Sequence, residues 1–222
     1  MRDNFHEQLD AVYDDLVEMT RLVGSAMNRA TQSLFDADLS LAEQVIADDV
    51  HIDALTSKVE EDCYQVSARQ QPVATDLRII FAALRISASL ERMGDLAAHV
   101  AKATRLSYPA SAVPPQVRPT FQAMGGVAQN VVSKAGAVIA TKDIELAADV
   151  ARADVVMDQL HRELFQTVLS PTWELGVEAA INTTLLSRYY ERFADHAVTI
   201  AKRVVYVVTG EPYRSLDPET FL

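Results

Sequence analysis

Two short segments of this chain place a glutamate and an aspartate four residues apart. The segment LERMGDLAAHVAK contains Glu91 and Asp95, and the segment YERFADHAVTIAK contains Glu191 and Asp195. Because helix positions four apart lie on one face, each segment is expected to present two carboxylates side by side. Paired carboxylates are hard oxygen ligands of the kind that bind Mg²⁺, Mn²⁺ or iron. The first question is therefore whether other parts of the chain add ligands to each pair.

Two aspartate pairs earlier in each half have the same spacing, and they are Asp49 with Asp53 and Asp154 with Asp158. The two helices of an antiparallel hairpin meet at positions equidistant from the turn between them. Across the first hairpin the acidic pairs average to position 72, which is a proline, and across the second they average to position 174.5, shortly after another proline. We therefore expect four carboxylates at one level of each hairpin. Such a group needs a cation, because neighbouring like charges and burial both disfavour the ionised form.

Four further side chains are weaker candidates for the same sites. His99 lies one turn after Asp95 and would add an imidazole, and Thr199 at the matching place in the second segment would add a hydroxyl. Ser25 and Asn130 are expected at the same level on the remaining helix of each half. We include His99 among the predicted metal ligands, together with the eight carboxylates of the two hairpins.

Two other interpretations of these residues stay open. In one, the molecule is a metal-free structural bundle in which the acids form ion pairs with nearby arginines, namely Arg85, Arg92, Arg188 or Arg192. In the other, it is a ferritin-like oxidase with carboxylate-bridged metals. Such enzymes carry Glu-x-x-His on two helices, whereas this chain offers only Asp48-x-x-His51 and Asp158-x-x-His161. Other catalytic signatures are scarce, because the sequence lacks Gly-rich phosphate loops and CxxC, HExxH and GxSxG motifs.

The hydrophobic pattern predicts an all-α protein. Apolar residues recur every three or four positions, and no sustained alternation of period two competes with this pattern. Proline and glycine mark the ends of the helical segments. Six long helices are expected, at residues 5–35, 38–69, 73–107, 116–141, 143–169 and 173–209.

The chain contains an internal repeat. Shifting it by 105 residues aligns DLSLAEQVIADDVHIDAL with DIELAADVARADVVMDQL, with eight identities in eighteen positions. Chance at average composition would give roughly one identity. A shift of 100 residues aligns the two acidic segments. We therefore predict two tandem three-helix bundles, at residues 1–108 and 116–210, with a proline-rich linker at 109–115 and a tail at 211–222.

Composition narrows the classes of partner. The 222 residues carry a formal charge of −11, and no cluster of Lys and Arg exceeds an isolated pair. Nucleic acids and anionic membranes are therefore disfavoured, because binding to them needs a basic patch. The N-terminus lacks the apolar run of a secretory signal, and no apolar stretch approaches the roughly 20 residues of a membrane span. We expect a soluble, intracellular protein whose single cysteine, Cys63, is a core residue.

Four motifs are distributed along nearly the whole chain. They are QPVATDLR at the first hairpin, ERMGD and ERFADH in the acidic segments, and VTGE at the end of the last helix. Together they resemble the PhoU family of phosphate-signalling proteins. The resemblance implies two three-helix bundles with multinuclear metal sites, one at Glu91 with Asp95 and one at Glu191 with Asp195. The implied metal ions are Mg, Mn, Fe or Zn.

The resemblance also implies a function. A member of this family is a cytoplasmic, non-catalytic and often homodimeric regulator. It links the ATPase subunit of a phosphate ABC transporter to a sensor histidine kinase, and it represses the phosphate-starvation response when phosphate is plentiful. The family usually has an asparagine one turn after the aspartate of each acidic segment, and this sequence has His99 and Thr199 there.

Overall fold

The computed structural model describes residues 2–70 and 72–211, and within them the chain forms six α-helices and no β-strand. The helices are α1 (Arg2–Asp36), α2 (Leu39–Gln70), α3 (Thr75–Ser107), α4 (Arg118–Thr141), α5 (Ile144–Val168) and α6 (Gly176–Thr209). The predicted all-α class is confirmed. Of the predicted tail, residues 212–222 lie outside the described part of the chain. Among the described helices, none combines the length and the apolar character that crossing a membrane requires.

Two aspartates at equivalent positions of the repeat begin α2 and α5. Asp143 Oδ1 accepts hydrogen bonds from the backbone N–H groups of Glu145 at 2.8 Å and Leu146 at 3.2 Å. Asp38 Oδ1 accepts one from the N–H of Leu41 at 2.9 Å. These caps satisfy amides that have no partner within the first helical turn. The same residue type therefore fixes the start of the second helix in both units.

The last helix begins later than the sequence predicts, at Gly176 rather than at residue 173. Gly176 has a φ of +83°, in the left-handed region that favours glycine. The indole Nε1 of Trp173 donates to the carbonyl of Gly176 at 3.0 Å, and the hydroxyls of Ser170 and Thr172 bond to each other at 2.8 Å. These contacts hold the segment before α6 as a turn, so the α5–α6 hairpin is longer at its tip than expected.

The helices pack as two three-helix units around a shared core. Helices α1, α2 and α3 contact one another, as do α4, α5 and α6. The units meet through α1 against α4 and α3 against α6, while α2 and α5 flank this central group. Most buried apolar residues of both units form one hydrophobic cluster, which includes Cys63 as predicted. The helices α3 and α6, which carry the two acidic segments, are therefore fixed both by their own unit and by each other.

Glycines let α1 and α4 approach each other closely. A Cβ atom at Gly136 would lie 2.6 Å from Thr20 Oγ1, and one at Gly125 would lie 2.9 Å from Thr31 Cγ2. The shift of 105 residues exchanges these two contacts. The two units are therefore related by an approximate twofold axis that passes between α1 and α4.

A buried tyrosine hydrogen bond also joins the two units. Tyr190 on α6 is fully buried, and its hydroxyl lies 2.8 Å from Thr31 Oγ1 on α1. Because the Thr31 hydroxyl donates to the carbonyl of Met27 at 2.7 Å, Tyr190 is the donor to Thr31. Phe193, one turn further along α6, is likewise fully buried. These aromatic residues of the second acidic segment therefore serve packing between the helices.

Two candidate acidic metal centres

The hairpin of α2 and α3 brings together the four carboxylates of the first cluster, which consists of Asp49, Asp53, Glu91 and Asp95. Burial is the largest cause that raises the pKa of Asp49, and the neighbouring Asp53 raises it further. Across the hairpin, Asp95 and Glu91 add to this effect and Lys102 opposes it, so that the pKa of Asp49 is about 6. Closely spaced negative charge of this kind favours a proton or another cation.

Gly94 lets α2 approach α3 at the first cluster. A Cβ atom at this position would lie 2.9 Å from Asp49 Oδ1 and 2.8 Å from Ile52 Cδ1. The carboxylate of Asp49 therefore lies against the backbone of α3, between the positions of Glu91 and Asp95. The equivalent residue of the second unit is Ala194.

An arginine partly neutralises the first cluster. Arg92 Nη1 lies 3.1 Å from Asp95 Oδ2, and Arg92 Nε lies 3.6 Å from Glu91 Oε2. The Arg92 side chain is 62% exposed, so solvent screens both pairs. The ion pairing that the sequence offers as an alternative to metal binding is therefore present on the α3 side of this cluster.

The hairpin of α5 and α6 brings together the second cluster, which consists of Asp154, Asp158, Glu191 and Asp195. Burial, followed by the charge of Asp158, raises the pKa of Asp154. Asp195 and Glu191 on α6 raise it further and Lys202 lowers it, so that the pKa of Asp154 is about 7. The pKa of Glu191 is also raised, first by burial and then by Asp195. The antiparallel register predicted from the sequence thus places four carboxylates together in each unit.

Two carboxylate oxygens of the second cluster are buried without a hydrogen-bond partner. They are Asp154 Oδ1 on α5 and Glu191 Oε2 on α6. Arg188 pairs with the other carboxylate oxygen of Glu191, whose side chain is only 12% exposed. A buried oxygen that accepts no hydrogen bond has lost its solvation without compensation. Uncompensated negative charge is therefore concentrated in the second cluster.

His99 and Thr199 occupy equivalent positions and make similar backbone contacts. His99 Nδ1 lies 2.7 Å from the backbone carbonyl of Asp95, and Thr199 Oγ1 donates to that of Asp195 at 3.0 Å. The ring centroid of His99 is 5.3 Å from that of Tyr189 on α6. The imidazole thus packs on the α6 side of α3, whereas the aspartate pair of the first cluster lies on α2. The role of His99 as a ligand stays a prediction.

The two remaining candidates lie in different surroundings. Ser25 lines a cavity of about 200 Å³ between α1 and α2 that Asp49 and His51 also line. Asn130 is exposed on α4. Ser25 therefore lines the same cavity as a carboxylate of the first cluster.

A histidine–serine pair next to the second cluster is not predicted from the sequence. His161 Nδ1 on α5 lies 2.9 Å from Ser187 Oγ on α6, and Ser187 Oγ donates to the carbonyl of Thr184 at 2.9 Å. The shift of 105 residues places His161 at the position of Thr56, and the shift of 100 places Ser187 at the position of Ser87. The sequence signal for this pair is the replacement of a threonine of the first unit by a histidine in the second.

Neither cluster has the geometry of a formed metal site. Over residues 2–70 and 72–211, no group of three or more His, Cys, Asp or Glu side chains is arranged to hold a metal ion. The donor chemistry nevertheless fits a hard cation, because the clusters offer carboxylates on facing helices and the second contains two buried oxygens without a partner. In this structure Arg92 pairs with Glu91 and Asp95, and Arg188 pairs with one oxygen of Glu191. The metal-ligand role of the eight carboxylates therefore stays a prediction.

Comparison with known proteins identifies the family. Residues 16–104 and 121–204 both match the family model described as the PhoU domain. A Mycobacterium tuberculosis protein named phosphate-specific transport system accessory protein PhoU homolog 2 is 48% identical over 210 residues, which cover 95% of this chain and 99% of that protein. The Pseudomonas aeruginosa homolog named phosphate-specific transport system accessory protein PhoU is 32% identical over 215 residues, covering 96% of this chain and 88% of the relative.

Solved structures agree with these sequence relatives. The crystal structure of PhoU from Pseudomonas aeruginosa has a TM-score of 0.82 and 31% identity, and the match covers 93% of this chain and 100% of that chain. The phosphate transport system regulatory protein PhoU from Streptococcus pneumoniae has a TM-score of 0.84 at 24% identity, covering 96% of this chain and 99% of that one, and supports the fold. The resemblance predicted from the sequence motifs is confirmed: the chain belongs to the PhoU family.

Proposed function

We propose that this protein is a regulator of phosphate homeostasis that links the ATPase subunit of a phosphate ABC transporter to a sensor histidine kinase. In this role it represses the phosphate-starvation response when phosphate is plentiful, acts in the cytoplasm as a homodimer and has no enzymatic activity. The observation that carries the proposal is the 48% identity, across 95% of the chain, to a protein named as an accessory of a phosphate-specific transport system.

Deletion of the gene tests the regulatory role. A strain without the protein should express its phosphate-starvation genes in phosphate-rich medium, and a plasmid copy of the full chain should switch them off again. The measurement is a reporter fused to a phosphate-starvation promoter, at high and at low phosphate. Repressed expression in the deletion strain at high phosphate would contradict the proposal.

Two exposed apolar helix faces support the role of an adaptor. On α3, Leu77 and Phe81 are 39% and 57% exposed, and on α6 the equivalent residues Val177 and Ile181 are 75% and 54% exposed. Apolar positions four apart on a helix suit docking against another helix or a groove. The charge of −11 favours basic partner surfaces and makes the encounter sensitive to salt. One such face in each unit would provide for two partners.

Single substitutions can separate these two faces. Phe81→Glu and Ile181→Glu each place a charge in one apolar face and should weaken binding of one partner, measured by pull-down with the purified ATPase subunit or the kinase. Asn182→Glu adds the same charge at an exposed neighbouring position of α6 and is the matched control. If all three variants bound both partners as well as the wild-type protein does, these faces would not be the docking sites.

The proposal includes metal binding by the two clusters, with Mg, Mn, Fe or Zn as the candidate ions. Each pair on α3 or α6 would supply ligands, and the aspartate pair on α2 or α5 would complete the set. A bound cation would neutralise the carboxylates and hold the two helices of the hairpin together. The raised pKa values of Asp49 and Asp154 and the two buried oxygens without a partner support a cation requirement.

A metal-free structural bundle is the competing interpretation, and the ion pairs of Arg92 and Arg188 favour it. Elemental analysis of the purified protein separates the two interpretations when it is run beside a variant with Glu91→Ala, Asp95→Ala, Glu191→Ala and Asp195→Ala. The wild-type protein should carry metal that the variant lacks. Equal metal content in both would leave the clusters without a ligand role.

A further inference from the structure

The two clusters differ in one neighbouring side chain. Beside the second cluster, His161 on α5 contacts Ser187 on α6, as described above. At the equivalent place in the first unit stand Thr56 and Ser87, whose hydroxyl oxygens are buried without a hydrogen-bond partner. The second unit therefore has an imidazole where the first has only hydroxyl groups.

The hydrogen bonds of Ser187 fix the tautomer of His161. Ser187 is fully buried, and its single hydroxyl hydrogen is given to the carbonyl of Thr184. Its oxygen can then only accept from His161, so Nδ1 of a neutral imidazole carries the hydrogen and Nε2 keeps its lone pair. Histidines that bind metals usually donate their other ring N–H to a fixed acceptor in this way.

His161 lies on the face of α5 that carries the second cluster. It follows Asp154 and Asp158 at the i, i+4, i+7 spacing of one helix face. Helical side chains lean towards the N-terminus of their helix, which for His161 is the direction of Asp158. On the opposite side the ring meets the edge of Phe165, with 4.8 Å between the ring centroids. The imidazole therefore contacts Ser187 and Phe165 and lies about one turn beyond Asp158 on the same face of α5.

We propose that His161 supplies a nitrogen ligand to a metal ion bound at the second cluster, with Ser187 as the positioning residue that fixes its tautomer. This inference rests on the metal-binding part of the proposed function. An imidazole among carboxylates favours Zn²⁺ or Fe²⁺ over Mg²⁺, which prefers oxygen ligands alone. The two clusters of the chain therefore differ in metal preference, although they occupy equivalent places in the repeat.

Pulsed electron paramagnetic resonance with Mn²⁺ detects the nitrogen directly. The background is the full chain with Asp49→Asn and Glu91→Gln, so that only the second cluster binds. Bound Mn²⁺ should show ¹⁴N coupling in this background, and His161→Thr, which installs the residue of the first unit, should abolish the coupling while Mn²⁺ stays bound. His51→Gln, on an exposed site of α2, is the control and should keep the coupling.

Affinity measurements test the preference that the nitrogen ligand creates. In the same background, His161→Thr should weaken Zn²⁺ binding by about tenfold or more and leave Mg²⁺ binding within about twofold. Ser187→Ala should weaken Zn²⁺ binding in the same direction, because it releases the tautomer. Thr56→His in an otherwise wild-type first cluster, with Asp154→Asn and Glu191→Gln in the second, should create ¹⁴N coupling where there was none.

The outcomes separate this inference from the proposal on which it rests. Bound Mn²⁺ without ¹⁴N coupling, or with coupling that survives His161→Thr, would overturn the role of His161 and leave carboxylate metal binding intact. If the second cluster bound neither Mn²⁺ nor Zn²⁺, metal binding there would fail, and the role of His161 with it.

Discussion

The first and second acidic clusters occupy equivalent places in the repeat, yet their charges are balanced differently. In the first, the exposed Arg92 reaches both carboxylates of α3. In the second, Arg188 pairs with Glu191 alone, and two carboxylate oxygens stay buried without a partner. The equivalent of Arg92 is Arg192, which lies near His196. Burial is the main cause that lowers the pKa of His196, and Arg192 is the second. The repeat thus preserves the positions of the acids while the positions of their counter-ions diverge.

This difference predicts that a metal ion stabilises the second unit more than the first. A ligand at a hundred times its Kd that binds only the folded state adds about 2.7 kcal/mol to the free energy of unfolding. For a chain of this size that corresponds to a rise in Tm of about 5–10 °C. Most of the rise should disappear with Asp154→Asn plus Glu191→Gln, and a smaller part with Asp49→Asn plus Glu91→Gln. The measurement is thermal unfolding of each protein with a chelator and with excess Mn²⁺.

Equal losses in the two double variants would contradict the comparison, because they would show that the unpaired oxygens of the second cluster add nothing. If Mn²⁺ did not change the Tm of the wild-type protein, metal binding at both clusters would be contradicted.

The pH dependence of stability should also differ between the clusters in the metal-free protein. The pKa values of Asp154, about 7, and of Asp49, about 6, lie above that of an aspartate in an unfolded chain. The folded state therefore binds these protons more tightly than the unfolded state does. The stability that the bound protons confer is complete below about pH 4. It is lost as the pH rises through the pKa values of the folded state. Asp154→Asn should gain about 1–2 kcal/mol at pH 8, after allowance for solvent screening, and Asp49→Asn should gain less.

Urea unfolding at pH 5 and pH 8, with a chelator present, measures this effect. The wild-type protein should be the less stable at pH 8, and Asp154→Asn should reduce the difference between the two pH values. If Asp154→Asn were no more stable than the wild type at pH 8, burial and the neighbouring charges would not destabilise the ionised form of Asp154.

Much of the fold and of each cluster follows from features that the sequence displays directly. Apolar spacing and prolines determine the six helices, and the position of each turn sets the register of its hairpin. That register alone is enough to bring Asp49 to Asp95 and Asp154 to Asp195. The carboxylate groups could be predicted because backbone geometry, rather than side-chain detail, sets their level.

Other features depend on side-chain contacts that the spacing of apolar residues does not encode. The start of α6 is displaced by the contact of Trp173 with Gly176. The close approach of α1 to α4 depends on a small residue facing Thr20 from another unit. Which arginine reaches which carboxylate depends on long, flexible side chains whose rotamers their neighbours select. The pairing of His161 with Ser187 likewise becomes visible only when α5 lies against α6.

The smallest expected effect concerns a position at which the two acidic segments differ. It is Gly94 on α3 and Ala194 on α6. Gly94→Ala gains about 1 kcal/mol of helix propensity, but the added methyl group must displace Asp49 and Ile52. Net stability should therefore change by less than about 1 kcal/mol, while Mn²⁺ affinity at the first cluster falls about threefold, because Asp49 moves away from α3. Ala194→Gly, the reverse change, should lose about 1 kcal/mol of stability and leave metal affinity unaltered. Urea unfolding and Mn²⁺ titration of the two variants decide this, and an unchanged affinity in Gly94→Ala would mean that Asp49 does not need the space at Gly94 to act as a ligand.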